Sequence, residues 1–245
     1  MDTMERPEIL IVKTGAAVPE VARDGRDFEH WFAGGVGRDR FAWKTVRVDW
    51  DEPLPAPDAP MAVVVTGSPA MVSERLDWSE RTARWLADAH AASVPMLGVC
   101  YGHQLLAHAL GGAVGQNPNG RRMGRVVVEV TASDDPLLGP FAPVTPFHVT
   151  HVEVVLEPPP DARVIGVAAH DPYHALHFGA RSWGVQFHPE FDARTMRTYI
   201  DARAGALAAE GHDPRALCAG VVGDDRGRDL LARFGTMVID AGVAS

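Results

Sequence analysis

Residues 95–112 read PMLGVCYGHQLLAHALGG, and this stretch joins a strand pattern to a helix pattern. Met96, Leu97 and Val99 make a short apolar run of the kind buried in a parallel sheet. Leu105, Leu106, His108 and Ala109 then recur at helical spacing, and Gly111-Gly112 stops the pattern. Between the two sits Cys100, flanked by Gly98 and Gly102. Glycines at these places let the backbone turn sharply and leave room for a substrate beside the sulfur, as a nucleophile elbow requires. A helix N-terminus also favours the thiolate over the thiol. The commoner fate of a lone cysteine is an inert buried thiol, but the paired glycines point to the elbow.

Outward from this stretch, the chain alternates strand and helix signals. Glu8–Val12 reads as a strand, about Asp24 to Ala33 as a helix ending at Gly34-Gly35, and Lys44–Trp50 as a second, edge strand. Pro53, Pro55, Pro57 and Pro60 make the next segment a loop. Met61–Thr66 is a continuous apolar strand, and about Ser79 to Ala92 a helix leading into the Cys100 strand. Such alternation predicts an α/β fold with an open, mostly parallel sheet and helices on both faces. From Ala113 to Gln186 the signals are strand-like: Val126–Thr131, Val149–Leu156, Arg163–Ala169, His174–Phe178 and Trp183–Phe187. They read as antiparallel hairpins added to the parallel core. Helical patterns follow at about 193–210, 214–219 and 226–241. The expected organisation is one domain, with a core over about 8–200 and a helical extension over about 201–245.

A second landmark is WGVQFHPE, Trp183–Glu190. A strand ends in His188, and a carboxylate follows two residues on. Alternate residues of extended chain share a side, so Glu190 can fix the tautomer and orientation of the His188 imidazole. With the Cys100 elbow this completes the nucleophile, base and orienting group of covalent acyl transfer. A third landmark is VTGSP, Val65–Pro69, another strand end broken by glycine. Carboxyl ends of neighbouring parallel strands line one crevice, so the N–H groups of Gly67 and Ser68, with that of Tyr101, are candidates for an oxyanion hole.

Composition narrows the alternatives. The chain has 245 residues, 46% of them apolar, and a formal net charge of −9. Acidity argues against nucleic acid as a partner, and Arg121-Arg122 with Arg125, the densest basic spot, reads as solvated surface. Two cysteines cannot make a disulfide framework, which fits a reducing cytoplasm. The charged start MDTMERPEIL carries no signal-peptide pattern, and no apolar run reaches membrane-spanning length. His170, His174 and His177, in HDPYHALH, have spacing that could hold a metal. On a strand, however, His177 faces away from His174 and only His170 shares its side. No metal site is therefore expected.

Taken together, GVCYGHQLLAHALGG and GVQFHPEF resemble the class I glutamine amidotransferases, the Cys-His-Glu family, most of all stand-alone relatives of the GMP synthase glutaminase domain. VVVTGSP, NPNGRRMG (Asn117–Gly124), His151-Val152-Glu153 and Gly179–Glu190 follow in the family's order, and the likeness spans about residues 8–200. It implies the flavodoxin-like amidotransferase fold, with Cys100 as nucleophile, His188 as base and Glu190 as its partner. It further implies Gly67 and Tyr101 as oxyanion donors and Ser68, Gln104 and His151 on the substrate side. No metal or organic cofactor is implied. Two features depart from the family pattern: the Gln often found near His174 or Ala175 is missing, and His151-x-Glu153 stands where His-Gly-Asp is usual. No stretch reads as an ATP-binding synthase domain, so the chain is not expected to make GMP alone. The implied substrate is L-glutamine or another γ-glutamyl compound. A glutaminase would pass ammonia to a synthase partner, whereas a γ-glutamyl peptide or amine hydrolase would act alone. A non-catalytic sensor or interaction protein, or a chaperone-type Cys-elbow protein, would share the fold but leave Phe187-His188-Pro189-Glu190 without a role.

Overall fold

The computed structural model describes residues 6–179, 181–223 and 226–243. Residues 1–5, on which the reading of the N-terminus partly rests, lie outside the described residues, as do Ser245 and its neighbour Ala244 at the end of the helical extension.

The first strands are β1 (Glu8–Lys13), β2 (Ala42–Arg47), β3 (Ala62–Val65) and β4 (Met96–Val99). Their helices are α1 (Phe28–Val36), α2 (Asp77–Ala91) and α3 (Tyr101–Ala109). Strands β5 (Ala113–Gln116), β6 (Arg122–Val130), β7 (Val144–His151), β8 (Glu153–Glu157), β9 (Arg163–Ala168), β10 (Asp171–His177) and β11 (Ser182–Val185) follow. The chain closes with α4 (Ala193–Ala202), α5 (Ala204–Ala209), α6 (Pro214–Gly220) and α7 (Arg226–Val243). Nine strands form one sheet in the order β2-β1-β3-β4-β11-β10-β9-β6-β7, while β5 pairs with β8 in a small separate ribbon. The first five of that order run parallel, and β11-β10-β9-β6-β7 pair antiparallel.

Side-chain alternation along β1 shows why the sheet is covered on both faces. Ile9 and Ile11 pack with Phe32 and Val36 of α1 and with Leu230, Leu231 and Phe234 of α7. Leu10 and Val12 pack on the opposite side with Leu86 of α2 and Leu105 and Leu106 of α3. The helical extension thus buries its apolar stripe against the protein's own core.

Several boundaries differ from the sequence reading. Helix α1 runs through Gly34-Gly35 to Val36 and stops at Gly37, whose φ is +138°. Gly35 is instead the seat of α7, since a Cβ there would stand 2.4 Å from Leu231 Cδ1. The predicted strand Val149–Leu156 is two strands, β7 and β8, broken at Val152. The last strand belongs to both parts of the sheet: β11 pairs antiparallel with β10, as a hairpin strand does, and lies parallel to β4 on its other edge, with Val185 paired to Val99.

Candidate active site

Strand β4 delivers Cys100 to the edge of the sheet, and α3 begins at the next residue. Cys100 itself carries the turn, with φ +53° and ψ −104°, a conformation costing an L-residue on the order of 1–3 kcal/mol. Its N–H donates to the Val185 carbonyl at 2.8 Å, and its carbonyl accepts from Gln104 N–H at 3.1 Å. The flanking glycines serve close approach. A Cβ on Gly102 would stand 2.4 Å from the Val65 carbonyl oxygen, and one on Gly98 would stand 2.4 Å from that of Gly102. The thiol is nearly buried and donates weakly to the Thr150 carbonyl at 3.6 Å.

Parallel pairing of β11 with β4 brings the end of the histidine strand beside the cysteine. His188 N–H donates to the His148 carbonyl at 2.8 Å, and Phe191 N–H returns to the His188 carbonyl at 3.3 Å. The second bond closes a β-turn with Pro189 at its favoured position. His188 and Glu190 therefore meet through a turn and not through strand alternation. Imidazole Nδ1–H donates to Glu190 Oε1 at 2.7 Å, and the carboxylate is fully buried. Phe191 stacks on the ring, centroids 4.2 Å apart and planes 16° from parallel. Burial opposes a charge on His188, but Glu190 and the Cys100 sulfur outweigh it and raise the imidazole pKa to about 10. Nε2 is buried and makes no hydrogen bond among the described residues.

A raised histidine pKa means the His188–Glu190 pair contributes stability that is complete below about pH 6.5 and is lost as the pH rises through about 10. NMR titration of the imidazole nitrogens should find His188 protonated throughout the neutral range. In Glu190→Gln the titration should move down by more than one pH unit, on the order of the charge partner's contribution; an unmoved midpoint would show that Glu190 is not the group holding the proton.

Gly67 completes the convergence. A Cβ there would lie 3.0 Å from His188 Cε1 and 3.9 Å from Cys100 Cβ. Its carbonyl accepts from the Thr14 and Thr66 hydroxyls, each at 3.0 Å. Because carbonyl and N–H point oppositely across a trans peptide, this turns the Ser68 N–H the other way. Tyr101 is the first residue of α3, so its N–H has no acceptor within the helix. Its ring lies in the core on the far side, where its hydroxyl pairs with Ser79 at 2.6 Å.

Cys100, Tyr101, His188 and Ser68 line one cavity of about 160 Å³, which Gln104, Thr150, His151 and Glu153 close. This is small against the pockets of drug-sized ligands and suits an amino acid better than a nucleotide. The substrate-side residues inferred from sequence are all present, but their polar atoms are largely held by the protein. Ser68 Oγ donates to the Thr14 carbonyl at 2.6 Å. Gln104 Nε2 donates to the Glu153 carbonyl at 2.7 Å and to Gln186 Oε1 at 3.0 Å. His151 Nδ1–H donates to the Glu153 carbonyl at 3.1 Å. Sequence reading missed Phe28, Arg121 and Arg203, which also line the cavity. Arg121, read as solvated surface, sits at the rim and holds Glu210 at 2.7 and 3.1 Å. Nothing in its local sequence separates it from a surface arginine.

The histidines of HDPYHALH divide. His177 turns to Asp135 at 3.2 Å and stacks on Trp183, while His170 and His174 converge on His151.

A cysteine at a strand-to-helix elbow beside a buried His–Glu pair, on an open α/β sheet, is the arrangement of the α/β cysteine amidases. The family model for glutamine amidotransferase class-I matches residues 26–204, so the chain belongs to the class I glutamine amidotransferases, a family of amide C–N hydrolases. The glutamine-hydrolyzing GMP synthase of Aeropyrum pernix is 37% identical over 128 residues, covering 52% of this chain and 24% of that protein. A single subunit of the glutamine-hydrolyzing GMP synthase of Ignicoccus hospitalis is 36% identical over 143 residues, covering 56% of this chain and 71% of that one. The chain thus matches about a quarter of the full-length GMP synthases it resembles and most of the separate subunit. In fold it matches a glutamine amidotransferase of Thermotoga maritima with a TM-score of 0.78, at 20% identity, over 96% of this chain and 99% of that one. No helix of the described residues is long and apolar enough to cross a membrane.

Proposed function

We propose that this chain hydrolyses the side-chain amide of L-glutamine through a γ-glutamyl thioester on Cys100. The observation that carries this reading is the buried His188–Glu190 pair, 2.7 Å apart, over the same cavity as the elbow cysteine. In this mechanism the Cys100 thiolate attacks the γ-carbonyl carbon, and the carbonyl electron pair moves to oxygen, facing the N–H groups of Gly67 and Tyr101. As the tetrahedral intermediate collapses, His188 gives its proton to the leaving nitrogen and ammonia departs. Water then gives a proton to His188 and attacks the thioester, and the carbon–sulfur bond breaks to release glutamate and the thiolate. Glu190 holds the ring throughout. Arg121 and Arg203 at the cavity rim suit the α-carboxylate of an amino-acid substrate.

The likeness to one subunit of a GMP synthase supports a separate synthase partner that accepts the ammonia. Packing of α7 on α1 and β1 supports reading the whole chain as one domain. A partner-dependent glutaminase should release ammonia slowly alone, because closure by the partner completes the site. Incubation with glutamine, rapid acid quench and mass spectrometry should find a γ-glutamyl adduct on Cys100, with slow ammonia release. Rapid turnover of γ-glutamyl peptides with little action on glutamine would reassign the chain to the hydrolases that act alone. No adduct with either substrate class would end both readings.

A further inference from the structure

Behind the His151 wall of the cavity lies a second constellation that the proposed amide chemistry does not use. His151 ends β7, His170 occupies the turn before β10, and His174 sits within β10. All three are buried, and one ring nitrogen of each lies within 4.8 Å of the others. Their ring centroids lie 5.3–6.1 Å apart: His151 stacks on His170 with planes 28° from parallel, and His174 meets His170 edge-on at 78°. We propose that His151, His170 and His174 bind a divalent transition-metal ion of the imidazole-preferring class, Zn2+ in particular, which clips β7 to β10 beside the cavity.

The hydrogen bonds set the tautomers that such a site needs. His174 Nδ1–H donates to buried Asp171 Oδ2 at 2.9 Å, and His151 Nδ1–H donates to the Glu153 carbonyl. In the neutral form of each ring, that bond leaves Nε2 as the nitrogen with a free lone pair. A carboxylate or carbonyl on the outer nitrogen is the usual orienting partner of a metal-bound histidine. His174 Nε2 has no hydrogen-bond partner among the described residues although the side chain is fully buried, which is costly in a protein interior. His170 Nε2 stands 3.4 Å from His151 Nε2. That is long for a hydrogen bond, but it is the separation of two nitrogens on a tetrahedral zinc, about 3.3 Å for Zn–N bonds of about 2.0–2.1 Å. A single N–H from His170 can satisfy only one of the two lone pairs, whereas one cation satisfies all three nitrogens.

The donor set favours the same conclusion. Three imidazole nitrogens, with the Asp171 side chain behind that of His174, suit zinc and not the oxygen-seeking Ca2+ or Mg2+. The fourth position goes to water or a solute. The spacing of HDPYHALH could not reveal the set, because its third histidine turns to Asp135 and the third ligand comes from β7.

The test is metal content, independent of amidase activity. Full-length tag-free protein is stripped with chelator, loaded with ZnCl2 or CoCl2, desalted, and assayed by elemental analysis and visible absorption. The expected result is one equivalent of either ion per chain, with the intense visible bands of low-coordinate Co2+. His170→Ala and His174→Gln should each lose the ion and the bands, while His177→Ala and Cys100→Ala keep both. A parent chain that emerges without metal would overturn the proposal. So would an ion that survives both His170→Ala and His174→Gln but leaves with Cys100→Ala. If His174→Gln fails to fold by circular dichroism, parent stoichiometry and His170→Ala decide.

Discussion

Under the proposed function, Cys100→Ala should abolish turnover of glutamine and of γ-glutamyl amides, with kcat lower by at least about 10⁴-fold, and His188→Ala should do the same. The two losses do not add, because nucleophile and proton carrier act as one unit: an imidazolium with no thiolate has nothing to protonate, and a thiol with no base stays weakly nucleophilic. Glu190→Gln should fall less far, by about 10²–10³-fold, since Phe191 still stacks on the ring and holds its plane. Ammonia release under saturating substrate checks all three. A Cys100→Ala chain working within tenfold of the parent would place the chemistry elsewhere. The same position makes a stability prediction of opposite sign. Cys100 is held at φ +53°, so Cys100→Gly removes the strain and should melt above Cys100→Ala, by a few degrees for the roughly 1 kcal/mol or more released.

The largest effect on stability is expected at the elbow glycines. Gly102→Ala and Gly98→Ala each drive a methyl to 2.4 Å from a main-chain carbonyl oxygen, that of Val65 in β3 or that of Gly102 in α3. Neither obstacle is a flexible side chain, so the helix must lift from the sheet, at a cost of about 3 kcal/mol or more. In a chain of this size that lowers Tm by roughly 6–12 °C. The cysteine moves with the helix, so activity should fall with Tm. Gly205→Ala is the control, because no atom lies within 4 Å of the added methyl. There the same change sits in exposed helix α5 and should be neutral or stabilising by up to about 1 kcal/mol. Calorimetry of the three variants separates steric necessity from helix propensity. An unshifted Tm in Gly102→Ala would show that β3 and α3 are not in the close contact described.

Local chemistry was legible because it is written in neighbouring residues. The elbow could be read from Gly98, Cys100 and Gly102, although the glycines turn out to serve approach to β3 and α3 while the cysteine itself takes the strained φ. The His188–Glu190 contact could be read from the spacing, although a turn at Pro189 makes it. Gly34-Gly35 misled as a helix stop because the signal for a docking seat and for a cap is the same residue. What separates them is Leu231, which lies far along the chain in the last helix.

The sequence by itself therefore determined the α/β class, the elbow, the histidine–carboxylate couple and the family that these motifs resemble, since each depends on backbone preferences within a few residues. Tertiary structure alone decided that β11 lies parallel beside β4, with Val185 opposite Val99, and so brought His188 to Cys100. It alone placed Arg121 at the cavity rim and drew His151 to His170 and His174. Strand order and side-chain convergence are set by long-range burial, which no local pattern encodes.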